Sequence, residues 1–119
     1  MKIVVGGQID KQSIANKVKE ILADQAIVEI KGDLEAVMAM QNGEFDYYLG
    51  ACNTGGGGAL AMAIALLGAD KCATISMPGK IKSDEEIKTE VNDNKIAFGF
   101  TAQDIDRVVP VLLKFLQEK

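Results

Sequence analysis

Two rhythms of apolar and polar residues alternate along this chain, short β-branched runs and longer stretches at helical spacing. Residues 1–5, Met-Lys-Ile-Val-Val, stop at Gly6-Gly7 and read as a buried first strand. From residue 10 to 24 the apolar positions Ile14, Val18, Ile21 and Leu22 recur with helical period, with Asp10 as the expected cap. Residues 26–30 are brief and β-branched, a second strand. Gly32-Asp33 opens a helix carrying Leu34, Val37, Met38 and Met40, which Asn42-Gly43 closes. Residues 45–50 form a third strand, which leads into Cys52-Asn53-Thr54 and the run Gly55, Gly56, Gly57, Gly58. Residues 59–67 are rich in Ala, Leu and Met and predict a helix ended by Gly68. Residues 71–76 are a fourth strand, and Met77-Pro78-Gly79 forbids its continuation. Ser83 with Glu86 is a capping box for a helix to about Asp93, and residues 95–100 are a fifth strand. Thr101 with Asp104 repeats the cap spacing before a last helix to Gln117, in which Pro110 is expected to introduce a kink or a break.

Five strands alternating with five helices predict a single α/β domain over residues 1–119, a parallel sheet covered on both faces. Right-handed crossovers leave few doubly wound orders, and the flavodoxin-like, Rossmann-like order 2-1-3-4-5 suits five strands. Ligands in such sheets bind beyond the carboxyl ends of the strands, where the order reverses, here between the first and third strands. The loops at that point are Gly6-Gly7-Gln8 and residues 51–58, the two most glycine-rich in the chain.

Composition narrows the chemistry. An apolar fraction of 48%, a charged fraction of 25% and a formal charge of −4 suit a globular chain, and the charge opposes nucleic acid as a partner. Histidine is absent, which removes His bases and His-ligated metals, and Arg107 is the sole arginine, so bidentate Arg clamps on phosphate are almost excluded. Asp33 and Asp46 have no metal-site spacing; neither a metal nor a cofactor is expected. Two cysteines without a signal-peptide pattern predict the reducing cytosol. The apolar run 59–67 is far short of the roughly 20 residues a bilayer span needs.

A glycine-rich turn from strand to helix offers backbone N–H groups to an anion without any cationic side chain. Gly56, Gly58 and Ala61 meet a G-x-G-x-x-A spacing, but the acid that dinucleotide binding wants would fall near Ser76, and no lysine follows as in a P-loop. The expectation is a small anionic metabolite, with Gly6, Gly7, Gln8, Asn53, Thr54 and Gly55 to Gly58 forming the pocket. The alternative role for the glycines is close packing of the helix. Cys52, beside a helix start, can become a thiolate base or nucleophile, or be a buried small hydrophobe. Cys72 begins the fourth strand, at the opposite edge, and reads as core. Lys80 and Lys82 follow the fourth strand on the glycine side and can act as a lid or simply lie in a solvated loop. The helix 59–67 is apolar on every side and implies deep burial or a partner surface, in a homo-oligomer or on a membrane-transport protein.

Tyr47-Tyr48-Leu49-Gly50-Ala51-Cys52-Asn53-Thr54, the glycines, Ala-Leu-Ala-Met-Ala and the opening Met-Lys-Ile-Val-Val-Gly-Gly together carry a resemblance. Over its full length the chain resembles a small bacterial family, the YhfU-type proteins, which has no established activity. Its members tend to be encoded with membrane-transport and pyridoxal-enzyme genes, so the resemblance implies a metabolic or uptake accessory role. Cys52-Asn53-Thr54-Gly55-Gly56-Gly57 is also similar to the Cys-Gly-Thr-Gly-x-Gly loop of the B-type ribose-5-phosphate isomerases. In that family the cysteine moves a proton between sugar carbons, which implies Cys52 as base and Thr54 as a polar neighbour. Its Asp-His pair after the first strand reads Gln8-Ile9-Asp10 here, and its ring-opening His and phosphate-binding Arg residues have no counterparts. The chain further resembles the IIB domains of sugar phosphotransferase systems, with Gly6-Gly7-Gln8 where their phosphocysteine stands. Three functions follow as alternatives: a binding or accessory domain, a Cys52-dependent sugar-phosphate isomerase, and an interaction module.

Overall fold

The computed structural model describes residues 1–53 and 56–119. Five parallel strands form the sheet: β1 (Lys2–Gly7), β2 (Ile27–Ile30), β3 (Tyr47–Cys52), β4 (Cys72–Thr74) and, last in the chain, Ala97–Thr101. A two-stranded antiparallel ribbon, β5 (Ser76–Met77) and β6 (Lys80–Ile81), stands between β4 and that last strand, β7, in the chain. The helices are α1 (Lys11–Leu22), α2 (Asp33–Gln41), the short α3 (Gly56–Ala59), α4 (Ala61–Leu67), α5 (Asp84–Asn92) and α6 (Ile105–Glu118).

The sheet order is β2-β1-β3-β7-β4. The α/β class, the parallel sheet and the reversal between β1 and β3 follow the pattern, but the expected order 2-1-3-4-5 is corrected in its last two strands. The fifth strand of the sheet lies inside the fourth. β7, Ala-Phe-Gly-Phe-Thr, is buried at every position and takes a neighbour on each side. β4 is three residues long and ends half-buried at Thr74, which suits an edge.

Helices α1, α5 and α6 cover one face, packed on Ile3, Val5, Leu49, Ala51, Phe98 and Phe100. Helices α2 and α4 cover the other, where Leu60 and Ala63 cluster with Val4, Tyr48 and Ala97 of the sheet. The alternation along β1 and β3 is therefore that of strands buried on both sides. The Ser83 capping box is formed: the Glu86 N–H donates to Ser83 Oγ at 3.2 Å, and the Ser83 N–H to Glu86 Oε1 at 2.9 Å. The Ser83 N–H, and after it the Ser83 hydroxyl, hold the Glu86 carboxyl below the usual carboxylate range. Gly43 and Gly68 end their helices at φ 74° and 99°, as expected of residues without a Cβ.

Three local expectations are corrected, at Asp10, Thr101 and residues 59–67, and of the two outcomes expected at Pro110, a kink or a break, the break does not occur. Asp10 precedes α1 with φ 54° and makes no side-chain cap bond. Thr101 does not cap the last helix; a 3-10 turn, Ala102–Asp104, intervenes, and α6 begins at Ile105. Pro110 lies within α6 without dividing it. The helix expected over 59–67 is broken at Leu60 into α3 and α4, because Leu60 turns inward over Gly99 and is 1% exposed.

Candidate functional site

β1 delivers the chain to the switch point through Gly7, whose φ of 79° only glycine adopts readily. A Cβ there would stand 2.7 Å from the Ala51 nitrogen and 2.9 Å from its oxygen, so backbone meets backbone at this crossing. The Ala51 carbonyl accepts from both the Gln8 and Ile9 N–H groups, at 3.0 and 3.3 Å. The Gly7 N–H donates to Asp33 Oδ1 at 3.1 Å. The first loop thus commits its donors internally, and Gly6 and Gly7 contribute close approach rather than an anion nest.

What that loop does present is the Gln8 carboxamide. A Cβ placed on Gly58 would lie 3.1 Å from Gln8 Oε1, 3.2 Å from Gln8 Nε2 and 3.1 Å from Cys52 Sγ. Gly58 is therefore the point on which the Gln8 amide and the Cys52 thiol converge. Cys52 is buried at the end of β3, and its register partner across the sheet is Thr101. Paired residues face the same side, so Thr101 lies beside Cys52 on the α3 face. Thr101 is 3% exposed, and its Oγ1 has no hydrogen-bond partner among the described residues. Its N–H donates to Ser76 Oγ at 2.9 Å, linking β7 to the ribbon. A buried hydroxyl without a partner is uncommon in a folded protein.

A second cluster supports this one. Gly6, Gly50 and Gly99 are register partners in one row across β1, β3 and β7, all facing the α2–α4 side. Cβ atoms at Gly6 and Gly50 would lie 2.6 and 2.8 Å from the Tyr48 side chain, and one at Gly99 would lie 2.6 Å from Leu60. The row forms a trough along which the Tyr48 ring runs toward the carboxyl rim. Its hydroxyl meets Asp33 Oδ1 in a short contact and the Ala59 carbonyl at 2.9 Å. Burial, and then the Asp33 carboxylate, push the Tyr48 phenol far above its usual range, so it stays protonated as a donor. One phenol thereby ties β1, α2 and α3 together beneath the site.

The remaining predicted residues fall as follows. Asn53 is exposed in the bend after β3, and Thr54 and Gly55 lie outside the described residues. Gly56 and Gly57 are in α3, whose single turn is too short to develop a substantial helix dipole. Lys80 and Lys82 line a cavity of about 140 Å³ with Thr74, Ile75, Ser76 and Met77. They belong to an ordered ribbon, which the Lys82 N–H pins to the Ile75 carbonyl at 3.0 Å. Cys72 opens β4 at the far end of the sheet, and burial pushes its thiol up. Both cysteines are thiols. Among the described residues no group of His, Cys, Asp or Glu has the geometry of a metal site. A larger cavity, about 450 Å³, opens at the opposite, amino-terminal rim beside Asp46, Tyr47, Lys71 and Asn94. It is remote from every candidate group and is a groove between strand starts.

Sequence reasoning missed Asp33, Tyr48 and Thr101. Asp33 was within reach: it is the acid that follows the second strand, the place to which a Gly-Gly turn after the first strand directs attention. Tyr48 and Thr101 had no local signal, because their roles depend on which residues stand opposite them.

The fold and the rim together define a doubly wound α/β domain whose polar groups gather at the switch point. The chain belongs to the family described as protein of unknown function DUF2620, which it matches over residues 1–116. It is 37% identical over 116 residues to the uncharacterized protein YhfU of Escherichia coli strain K12, covering 98% of each chain, and equally to YhfU of Shigella flexneri. The YhfU resemblance carried by the loop after β3 thus extends over nearly the whole chain. Among solved structures it is similar to a ribose 5-phosphate isomerase RpiB from Thermotoga maritima, with TM-score 0.70 and 16% identity. That likeness covers 99% of this chain and 86% of the isomerase, and it is a likeness of fold.

Proposed function

We propose that this protein is a cytosolic binding or accessory domain that holds a small, phosphorylated metabolite at the carboxyl rim of its sheet. The observation that carries the reading is the convergence of the Gln8 amide and the Cys52 thiol on Gly58, with the unpartnered Thr101 hydroxyl beside them. The Asn53 side chain and the backbone of Gly56 to Gly58 are the further polar groups offered to the metabolite, while Thr54 and Gly55, expected to join them, lie outside the described residues. The cationic ribbon on the same rim favours an anion.

Thermal unfolding against inorganic phosphate, sugar phosphates, nucleotides and small carboxylates tests this. A ligand at 100 times its Kd adds about 2.7 kcal/mol, several degrees for a domain of this size. Gly58→Ala is expected to abolish the shift, because the methyl enters the space between Gln8 and Cys52. If no anion moves the midpoint, the reading falls.

A second reading is favoured by the fold of the isomerase neighbour and the thiol at the end of β3. In it Cys52 is the base of a sugar-phosphate isomerisation. Turnover of ribose 5-phosphate that Cys52→Ser abolishes, with little change in binding, would establish it. An absence of turnover in the wild type removes it.

A further inference from the structure

The groups at the rim fall into two chemical sets. Gln8 and Thr101 are neutral side chains that both donate and accept, and Cys52 beside them is a thiol. They suit hydroxyl and carbonyl groups, whereas an anion among them would meet no opposing side-chain charge. Lys80 and Lys82 line the 140 Å³ cavity at the ribbon. They are two residues apart at the end of an extended strand and so lie on the same side of it. Ser76, in that cavity's wall, is bonded to the Thr101 N–H, and Thr101 stands next to Cys52. Thr101 is thus the hinge between the two sets. Two strand spacings separate Cys52 from the ribbon, roughly 10 Å. Glu86 lies within electrostatic reach of both lysines, but its carboxylate is committed to the Ser83 N–H and does not line the cavity.

We propose that the ligand is a short hydroxylated chain with a terminal phosphate, its neutral head held by Gln8, Cys52 and Thr101 and its phosphate held by Lys80 and Lys82 in the ribbon cavity. This rests on the reading of the rim as a metabolite site and adds where each end lies and which residues select it. The orphaned Thr101 hydroxyl is then explained as a partner kept for the ligand. The roughly 10 Å span explains why both ends are needed, since inorganic phosphate cannot reach both sets at once.

The test is titration calorimetry with ribose 5-phosphate, erythrose 4-phosphate, glycerol 3-phosphate, free ribose and inorganic phosphate. For the wild type, the longer sugar phosphates are expected to bind at least tenfold tighter than free ribose or inorganic phosphate. Lys80→Gln with Lys82→Gln should weaken sugar-phosphate binding at least tenfold while leaving free ribose unchanged. Thr101→Val should weaken ribose and ribose 5-phosphate alike yet raise the melting midpoint, because it removes a buried unpartnered hydroxyl. A purely structural threonine would not combine a higher midpoint with weaker binding. If the double lysine variant binds as tightly as the wild type while Gly58→Ala does not bind, the ribbon is no subsite, although the rim remains a ligand site. If inorganic phosphate binds as well as every sugar phosphate, the two-ended ligand is overturned. If the wild type binds none of the five, this inference and the reading beneath it both fail.

Discussion

Gly7 and Gly43 share a left-handed backbone, yet their surroundings differ, and that difference is measurable. A Cβ at Gly43 meets nothing within 4 Å, whereas one at Gly7 meets the Ala51 backbone at 2.7 Å. Gly43→Ala should therefore cost about 1–2 kcal/mol, the left-handed penalty alone. Gly7→Ala should cost more than about 3 kcal/mol, since β1 and β3 must separate as well. Urea unfolding of the two variants reads the contrast, and equal costs would remove the close crossing from the argument. Tyr48 makes a second test. Tyr48→Phe removes the one hydroxyl proton that Asp33 and the Ala59 carbonyl share, a loss of about 1–3 kcal/mol. Because the folded phenol titrates above its unfolded value, its contribution is complete below about pH 10. It is lost as pH rises beyond that point, when the unfolded tyrosine ionises and the folded one does not. The stability gap between wild type and Tyr48→Phe should therefore narrow in alkali, and a constant gap would place the Tyr48 effect in packing alone.

Among the elements, the capped helix α5 and the broken α3–α4 pair show how local signals and tertiary packing divide the work. The Ser83–Glu86 box is a contract between neighbours in sequence and forms as read. Ser83→Ala should cost about 1 kcal/mol. The lowered Glu86 carboxyl means its share is present above the usual carboxylate range and lost as pH falls through the folded value. Thermal unfolding of Glu86→Gln should thus differ most from wild type near neutrality and converge with it in acid. The break at Leu60 had no such local warning. Ala, Leu and Met favour one continuous helix through residues 59–67, but Gly99 opens a hole in the sheet that Leu60 fills from across the layer.

At the scale of the whole molecule, the face formed by α2 and α4 remains apolar outside. Leu34 and Met38 on α2, with Met62, Ile64 and Leu66 on α4, are each between 37% and 48% exposed. Of the two alternatives expected for this helix, deep burial or a partner surface, burial does not hold: within α4 the buried residue is Ala63. Assembly of like subunits through this face is our proposal for its role, with a membrane-transport protein as the alternative partner. Sedimentation equilibrium should show an oligomer that Leu66→Asp converts to a monomer. A monomeric wild type at tens of micromolar would end the proposal. Among the described residues no helix is long and apolar enough to cross a membrane.

Much of this architecture is written in short-range pattern. Strand and helix periods, the helix ends at Gly43 and Gly68, the capping box and the switch point between β1 and β3 all depend on residues close in the chain, so their physics is local. So does the placing of Cys52 and Gln8 on the rim, since each follows directly from a strand's end. Tertiary structure decided what depends on register and layer. It set β7 inside β4, because a strand buried at every position needs two neighbours. It aligned Gly6, Gly50 and Gly99 into the trough that carries Tyr48 to Asp33, a row that no spacing along the chain reveals. And it brought Thr101 beside Cys52 with its hydroxyl unanswered, since hydrogen-bond satisfaction is a property of the folded neighbourhood and not of any segment alone.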